Sequence, residues 1–324
     1  MLRFILRRLG AAAFLIFGLL TLTFFIVRLA PGDPVTLYVQ DDFDPDFAEH
    51  LKTSLGLNQP MHVQYVTWIK SMATGELGTS FSKRAPVLDV LLDTFPNTLL
   101  LTVCAYIVNL TLGLLIGILS AMYKGSRMER WSGNVWLFLY GLPEFWLGIM
   151  LILLFAQTLG VLPASGMHSP FAFSYSPLEY VWDVVQHLVL PVFVLGISSA
   201  AAVARYMRAS ILDVMDREYI RTARAKGLGE WRIMWKHAFR NALLPVITLV
   251  GLSFPFLLGG AVVVESVFGW PGMGKLTVDA IFTRDYPLII GCTLVAGSMV
   301  IFGNIIADVL CAMADPRIKI QEKQ

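Results

Sequence analysis

Long apolar runs alternate with short polar interruptions along the chain. Runs long enough to cross a hydrocarbon layer occupy residues 9–27, 98–122, 135–159, 187–207, 243–264 and 288–312. Each predicts a helix, because within lipid a single apolar segment satisfies its own backbone only as a helix. The expected fold class is all-α: a polytopic membrane protein with six transmembrane helices and both chain ends on one side.

The longest polar interruption, 206–241, keeps a helical pattern of its own. Leu228, Trp231, Trp235 and Ala238 fall on one face, and Arg232, Lys236 and Arg240 recur every fourth residue beside it. Gly227 and Gly229 bracket Leu228, which predicts two short helices joined by a bend. Arg208, Arg217, Arg221, Arg224 and Lys226 add to its positive charge. Taken alone, the segment suits anionic lipid headgroups, nucleic acid or a soluble partner protein. So short a loop between two spans disfavours nucleic acid.

Several apolar runs contain residues that lipid rejects. In the third, Gly141 and Pro143 break the helix just before Glu144. A carboxylate there has to face the protein interior or a water-filled path, as a hydrogen-bonded packing residue or as part of a substrate route. The fourth holds Pro191 and the small residues 198–202, a candidate close helix contact. The fifth holds Pro245, Pro255, Gly259 and Gly260. Such breaks need neighbours or cavity water, so this run, with Pro255 in it, is expected to line a translocation path. Asn304 and Asp308 share a face of the sixth and are expected to point inward, as a structural hydrogen bond or a site.

Composition agrees: 56% of residues are hydrophobic and 15% charged, with mean hydropathy +0.67, which excludes an ordinary soluble domain. The net charge of +2 says little, but its distribution is informative. Eighteen of the 25 Lys/Arg fall at the N-terminus, in the 124–130 loop, in 205–241 and in the tail, so both termini are expected to be cytoplasmic. Arg3, Arg7 and Arg8 precede the first run as in a signal peptide. Cleavage after Ala30 would leave Arg28 where a small residue is needed, so the run is expected to stay as a span. Residues 31–96 carry nine acidic and four basic side chains. Within them, 45–55 and 61–72 are amphipathic, with Tyr65, Trp68, Ile69 and Met72 on one face. A small extracytoplasmic cap is expected there. Residues 161–186, without Lys or Arg, suit an external loop.

Catalytic chemistry finds little support. The stretch from Gly269 to Gly274, Lys275 and Leu276 matches a phosphate-binding loop except at its last position. Leu276 lacks the hydroxyl that would hold magnesium, and Pro271 interrupts the cradle of backbone N–H groups. Gly196-Ile197-Ser198 resembles a nucleophile turn, yet no His follows His237. His50, His62, His168, His187 and His237 have no metal-ligand spacing. Cys104, Cys292 and Cys311 lie inside apolar runs as small hydrophobes. No enzyme activity, metal or cofactor is expected in this chain.

The residues from Tyr219 to Leu228, Tyr-Ile-Arg-Thr-Ala-Arg-Ala-Lys-Gly-Leu, followed by His-Ala-Phe-Arg-Asn-Ala-Leu-Leu-Pro from His237 to Pro245, resemble the cytoplasmic coupling loop of ATP-binding-cassette importer permeases. Arg221-Thr222-Ala223 stands where the general family has Glu-Ala-Ala before Gly227, and the gap to Pro245 is longer. Both departures resemble the peptide/nickel branch. The stretches from Arg28 to Pro34 and from Leu55 to Pro60 are similar to the first-subunit permeases of that branch.

The resemblance implies a type I importer permease fold with a cytoplasmic coupling helix. It divides the chain into 1–30 (N-terminal end and first span), 31–96 (extracytoplasmic segment), 97–313 (five-helix core with coupling loop 206–241) and 314–324 (cytoplasmic tail). It implies a bacterial cytoplasmic (inner) membrane, a second homologous permease, two cytoplasmic ATPase subunits that bind ATP and Mg, and an extracytoplasmic solute-binding protein. The acidic cap is then a solvated face or a docking surface for that protein. Arg221, Thr222, Ala223, Arg224, Lys226 and Gly227 are the implied ATPase-coupling residues. Glu144, Pro255, Asn304 and Asp308 are candidates for the path. Short peptides are the expected substrate, ahead of a nickel or metal chelate. A self-contained channel or secondary transporter is the alternative outside the family.

Overall fold

The structure, a computed structural model, describes residues 2–29, 58–243, 246 and 261–314. The expected amphipathic stretch 45–55, Pro255 with most of the fifth expected span, and the tail from 315 lie outside the described residues. Almost every described element is a helix. The chain divides into two compact units, Met1–Asn97 with Pro271–Met299 and Thr98–Trp270 with Val300–Gln324.

In the first unit, helix α1 (Leu2–Leu29) meets helix α2 (Met61–Thr74) through aromatic rings. Phe24, 2% exposed, lies 5.3 Å from both Tyr65 and Trp68. Phe25 stacks on Tyr65, whose hydroxyl is 2.8 Å from that of Thr21. Tyr65, Trp68, Ile69 and Met72 are the half-buried positions expected for this helix face. A short hairpin follows, Thr79–Ser80 (β1) against Ala85–Pro86 (β2). It leads into helix α3 (Val87–Met122).

A fully buried carboxylate, Asp285, fixes the hairpin. One oxygen accepts the Ser80 hydroxyl at 2.6 Å and the Ser82 hydroxyl and amide at 2.7 and 2.9 Å. Its other oxygen accepts the Leu288 amide, capping the long C-terminal helix (Tyr286–Ala314). Val87, Leu91, Met273, Leu276, Ala280, Leu288 and Cys292 form the core beneath.

In the second unit, α3 packs on helix α6 (Pro177–Met215) along a seam of small residues. A Cβ added at Gly113 would come 2.6 Å from Val203 Cβ, and one at Gly117 would come 2.6 Å from Met207 Cβ and 2.7 Å from the Ala204 carbonyl. At Gly196, on the α6 side, a Cβ would come 2.9 Å from Val108 Cγ1 and 3.2 Å from the Ala105 carbonyl. Without a hydrophobic drive between helices in lipid, such close backbone approach supplies the packing. The small run expected to mediate this contact, 198–202, contributes through Ala200. The seam proper runs through Gly196, Ala200 and Ala204, spaced four apart, against Gly113 and Gly117.

Three described helices are long and apolar enough to span a membrane: Val87–Met122, Pro177–Met215 and Tyr286–Ala307. A fourth apolar segment is a bent helix pair. Helix α4 (Arg127–Gly141) stops at Leu142-Pro143, and helix α5 (Glu144–Leu151), continued as a π-helical turn to Thr158, restarts at an angle of 100°. This is the break that Gly141 and Pro143 predict. In α1 the apolar stretch is Gly10–Ile26. Several boundaries differ from the apolar runs: α6 starts at Pro177, inside the expected external loop 161–186, because Ser176 and Glu179 form a capping box there, and two others follow from packing. α3 begins at Val87, because Leu91 packs in the core beneath the hairpin and Pro96 is accommodated within the helix. α6 continues to Met215, because Ile211 and Val214 extend its buried stripe past the apolar run.

Gly117→Val is expected to destabilise the protein by about 1–3 kcal/mol, through the clash with Met207 and the Ala204 backbone. Gly133→Val, where an added Cβ meets nothing within 4 Å, serves as control. The melting temperature of the detergent-purified protein should fall for the first and hold for the second.

Candidate functional site

The polar segment after α6 forms two short helices. The first, α7, spans Glu218–Ala225, and the second, α8, starts at Glu230–Arg232 and continues as a π-helical stretch, Ile233–Phe239. Gly227 makes the turn between them at φ +81°, in the left-handed region where a Cβ is penalised. The Leu228 amide donates to the Ala223 carbonyl and the Gly227 amide to that of Arg224, a complete Schellman ending for α7. Leu228 packs with Ala223, Ile220 and Ile233 in a small apolar core between the helices.

Polar links close the pair further. Arg224 grips Glu230 across the bend, with Nε to Oε1 at 2.7 Å. The Asn241 amide donates to the Tyr219 hydroxyl at 3.0 Å, joining the far end of α8 to the start of α7. The pair is also fastened to the membrane helices. Met234, Ala238 and Ala242 share one apolar core with Met207, Ile211 and Val214 of α6 and with Ile118 and Ala121 of α3. The Ser210 hydroxyl donates to the Ala242 carbonyl at 2.9 Å. Beside them, Arg208 of α6 reaches Glu129 at the start of α4, with Nε 2.9 Å from the carboxylate.

Of the implied coupling residues, Ala223 is buried in the small core, and Gly227 makes the turn. Arg221, Thr222, Arg224 and Lys226 are exposed. Arg221 pairs with Glu218 at 2.9 Å, and the Thr222 hydroxyl donates to the Glu218 carbonyl. Lys226 is the C-cap residue. The six residues therefore come together on one short helix and its turn.

Of the path candidates, only Glu144 and Asn304 have described side chains. Glu144 is half-buried in the first turn of α5, close to Ser198 of α6, where the free N–H groups of a restarted helix favour a carboxylate. Asn304 is exposed on the isolated chain, not turned inward as the sequence pattern suggests; Gly303 and Ala307 mark the buried face of that helix. Asp308 belongs to the same helix, with its side chain outside the described residues, as is all of Pro255.

Other buried polar groups were not singled out by sequence pattern. Glu265, fully buried, accepts the Thr98 hydroxyl at 2.7 Å and anchors the turn that carries the fully buried Trp270. The Gly166 amide donates to the Phe268 carbonyl of that turn. Asp183 accepts the amide and hydroxyl of Ser169 at 2.7 and 2.6 Å, holding the 161–176 loop. The sequence signal for these was an acid close to an apolar run. Lys275 of the phosphate-loop look-alike bonds Asp279 within its own helix, Met273–Phe282.

Family comparison matches residues 113–320 to the binding-protein-dependent transport system inner membrane component. Residues 1–102 match the N-terminal part of such membrane components. The chain is 40% identical to the oligopeptide transport system permease protein AppB of Bacillus subtilis, over 98% of this chain and 99% of that one. It is 40% identical to the di/tripeptide transport system permease protein DppB of Pseudomonas aeruginosa, covering 99% and 100%. To the dipeptide permease DppB of Escherichia coli K12 it is 39% identical, covering 98% and 99%. Among solved structures, the fold resembles an amino acid ABC transporter (TM-score 0.53, 20% identity, 70% of this chain and 94% of that one). It also resembles the MetNI methionine ABC transporter in an inward-facing form (TM-score 0.51, 16% identity, 69% and 98%). These neighbours share the type I importer permease fold.

The turn geometry carries two predictions. Gly227→Ala should cost about 1 kcal/mol locally, because the left-handed φ penalises a Cβ, whereas Gly227→Asn should cost less. Amide exchange at residues 223–230 should rise in that order. The hydrogen bond from Arg224 holds the Glu230 carboxyl below its usual range. The stabilisation it gives is therefore present above the ordinary glutamate value and is lost as pH falls through the lowered one. Exchange at residues 228–230, corrected for its intrinsic pH dependence, should be level from neutral to mildly acidic pH and then rise. Glu230→Gln should remove that step.

Proposed function

The chain belongs to the binding-protein-dependent transport system inner membrane components, and from that premise we propose that it forms half of the translocation path of an ATP-driven importer of short peptides. Family membership makes it a multi-pass inner-membrane permease, not itself an enzyme. The observation that carries the substrate is similarity over almost the entire chain to permeases named for oligopeptides, tripeptides and dipeptides. The partners are a second homologous permease, two cytoplasmic ATPase subunits that bind the ATP and Mg, and an extracytoplasmic solute-binding protein. In this reading the fold has six transmembrane helices, the fifth in the apolar run 243–264, and both termini are cytoplasmic.

The α7–α8 pair is the coupling element. Its suitability rests on rigidity: the bend is closed by the Schellman ending, by Arg224–Glu230 and by Asn241–Tyr219. Displacement of the exposed face of α7 is transmitted through Met234, Ala238 and Ala242 to α6 and α3. ATPase closure would move the pair as one piece and rock those helices between outward- and inward-open states, which is alternating access through a two-state element. Ala223 supplies packing, Gly227 the turn, and Arg221, Arg224 and Lys226 the polar contacts to the ATPase. Glu144, Pro255, Asn304 and Asp308 are the path candidates. Glu144 at the helix break suits a positively charged substrate group, and the exposed Asn304 suits a surface shared with the second permease.

Affinity purification of the tagged chain from mild detergent should bring down a second permease and two ATPase subunits. Arg221→Glu, on an exposed side chain that pairs with its neighbour Glu218, should lower peptide-driven ATP hydrolysis about tenfold, the loss of one interface hot spot. The permease pair should stay intact. A chain that purifies alone and transports without ATP would overturn the reading.

A further inference from the structure

The two helices of the coupling segment differ in how their charges are satisfied. Around the first, every arginine has a carboxylate: Arg217 with Asp213 at 2.8 Å, Arg221 with Glu218 at 2.9 Å, and Arg224 with Glu230 at 2.7 Å. On the second, Arg232, Lys236 and Arg240 are exposed and form no ion pair or side-chain hydrogen bond among the described residues. Next to these cations runs an aromatic ladder. The rings of Trp231 and Trp235 are 5.7 Å apart and those of Trp235 and Phe239 5.1 Å apart. Trp231 is 65% exposed. The opposite side of the helix, Ile233, Met234 and Ala238, is buried against the chain. The outward surface of α8 therefore carries the exposed Trp231 and Trp235 beside a cationic stripe, with Phe239 half-buried against the core.

We propose that this surface rests on the cytoplasmic lipid surface and binds anionic phospholipid headgroups. Trp231 and Trp235 lie at the level where indole rings are favoured, and Arg232, Lys236 and Arg240 meet the phosphates. Charge complementarity selects this occupant. A protein groove would need acids matched to all three cations, whereas an anionic bilayer presents phosphate wherever the helix lies. Chain continuity places it there: residues 240–243 continue the helix, and Ala242 and Val246 are buried in the core formed with α6 and α3. The far end of α8 is thus held against membrane-spanning helices. Each cation near an anionic surface strengthens association about fivefold, so three together set the resting position of the coupling pair. α7 then serves the ATPase while α8 senses the bilayer. The inference takes the cytoplasmic placement of the segment from the proposed function.

The test uses the complete importer in nanodiscs of phosphatidylcholine with or without phosphatidylglycerol. A benzoylphenylalanine photoprobe in place of Trp231 should form phospholipid adducts. Peptide-driven ATP hydrolysis should be several-fold higher with phosphatidylglycerol. The combined Arg232→Gln, Lys236→Gln and Arg240→Gln variant should lose that dependence while retaining its ATPase subunits. Lys236→Gln alone should shift the same way by a smaller amount, should the triple variant fail to fold. Photoadducts to an ATPase subunit, or a folded triple variant stripped of ATPase subunits, would assign the surface to a protein and overturn the proposal. Activity indifferent to phosphatidylglycerol would also overturn it. Arg221→Glu separates the two readings. If it leaves coupling intact while the lipid dependence persists, the coupling role of α7 fails and the lipid role of α8 stands.

Discussion

The close backbone contact between α3 and α6 is the constraint on which the second unit depends. Lipid tails are as apolar as leucine, so two membrane helices gain nothing from hiding apolar side chains from each other. What holds them is dispersion at short range, and that requires side chains small enough to let the backbones meet. Gly113 and Gly117 on one helix and Gly196, Ala200 and Ala204 on the other supply it. Because the contact admits no added Cβ at Gly117, it also fixes the rotation of each helix. That rotation decides which residues of α6 face the α8 helix: Met207, Ile211 and Val214. The α7–α8 pair inherits its position from a seam of glycine and alanine.

Buried acids perform the complementary task at the ends of helices. Asp285 caps one helix and holds a hairpin, Asp183 holds a loop, and Glu265 holds the turn before Trp270. Each receives short hydrogen bonds from hydroxyls or amides, which a carboxylate excluded from water requires. A point attachment of this kind specifies geometry more sharply than apolar contact does, because loss of one donor leaves an acid with no solvent to compensate it. The loop and turn regions are therefore positioned by a few carboxylates, and the spans by continuous packing.

Much of this was legible in the sequence, and what was missed has a physical explanation. Apolar runs of 19–25 residues locate spans because the hydrocarbon core demands that length. They mark ends poorly, because helices continue wherever one stripe stays buried, as Ile211 and Val214 continue α6 beyond its apolar run. The break at Pro143 and the bend at Gly227 were legible, since proline and a left-handed glycine act locally. The amphipathic face of Tyr65, Trp68, Ile69 and Met72 was legible from period alone. The clasps were not: Asp285 meets residues more than two hundred positions away, and no local pattern carries such a pairing. Asn304 shows the related limit for a subunit. Period places it on a face with Asp308, but whether that face is covered depends on which neighbour the helix meets, and Gly303 and Ala307 are the residues buried here.

The α7–α8 pair joins these two modes of construction, an apolar core beneath an exposed charged surface. Surface ion pairs contribute little to stability, typically below about 1 kcal/mol, so Arg224–Glu230 alone would leave the bend loose. The bend is held instead by Ile220, Ala223, Ile233 and Leu228, a small apolar core beside the Schellman ending at Gly227. The charged residues outside that core are then free to be read by whatever surrounds the helix pair. Arginines already holding a carboxylate offer a partner a shaped, nearly neutral surface, and unpaired cations offer a field. The segment presents the first on α7 and the second on α8. The apolar core within the pair contains neither set of charges, so both surfaces are carried on one packed unit.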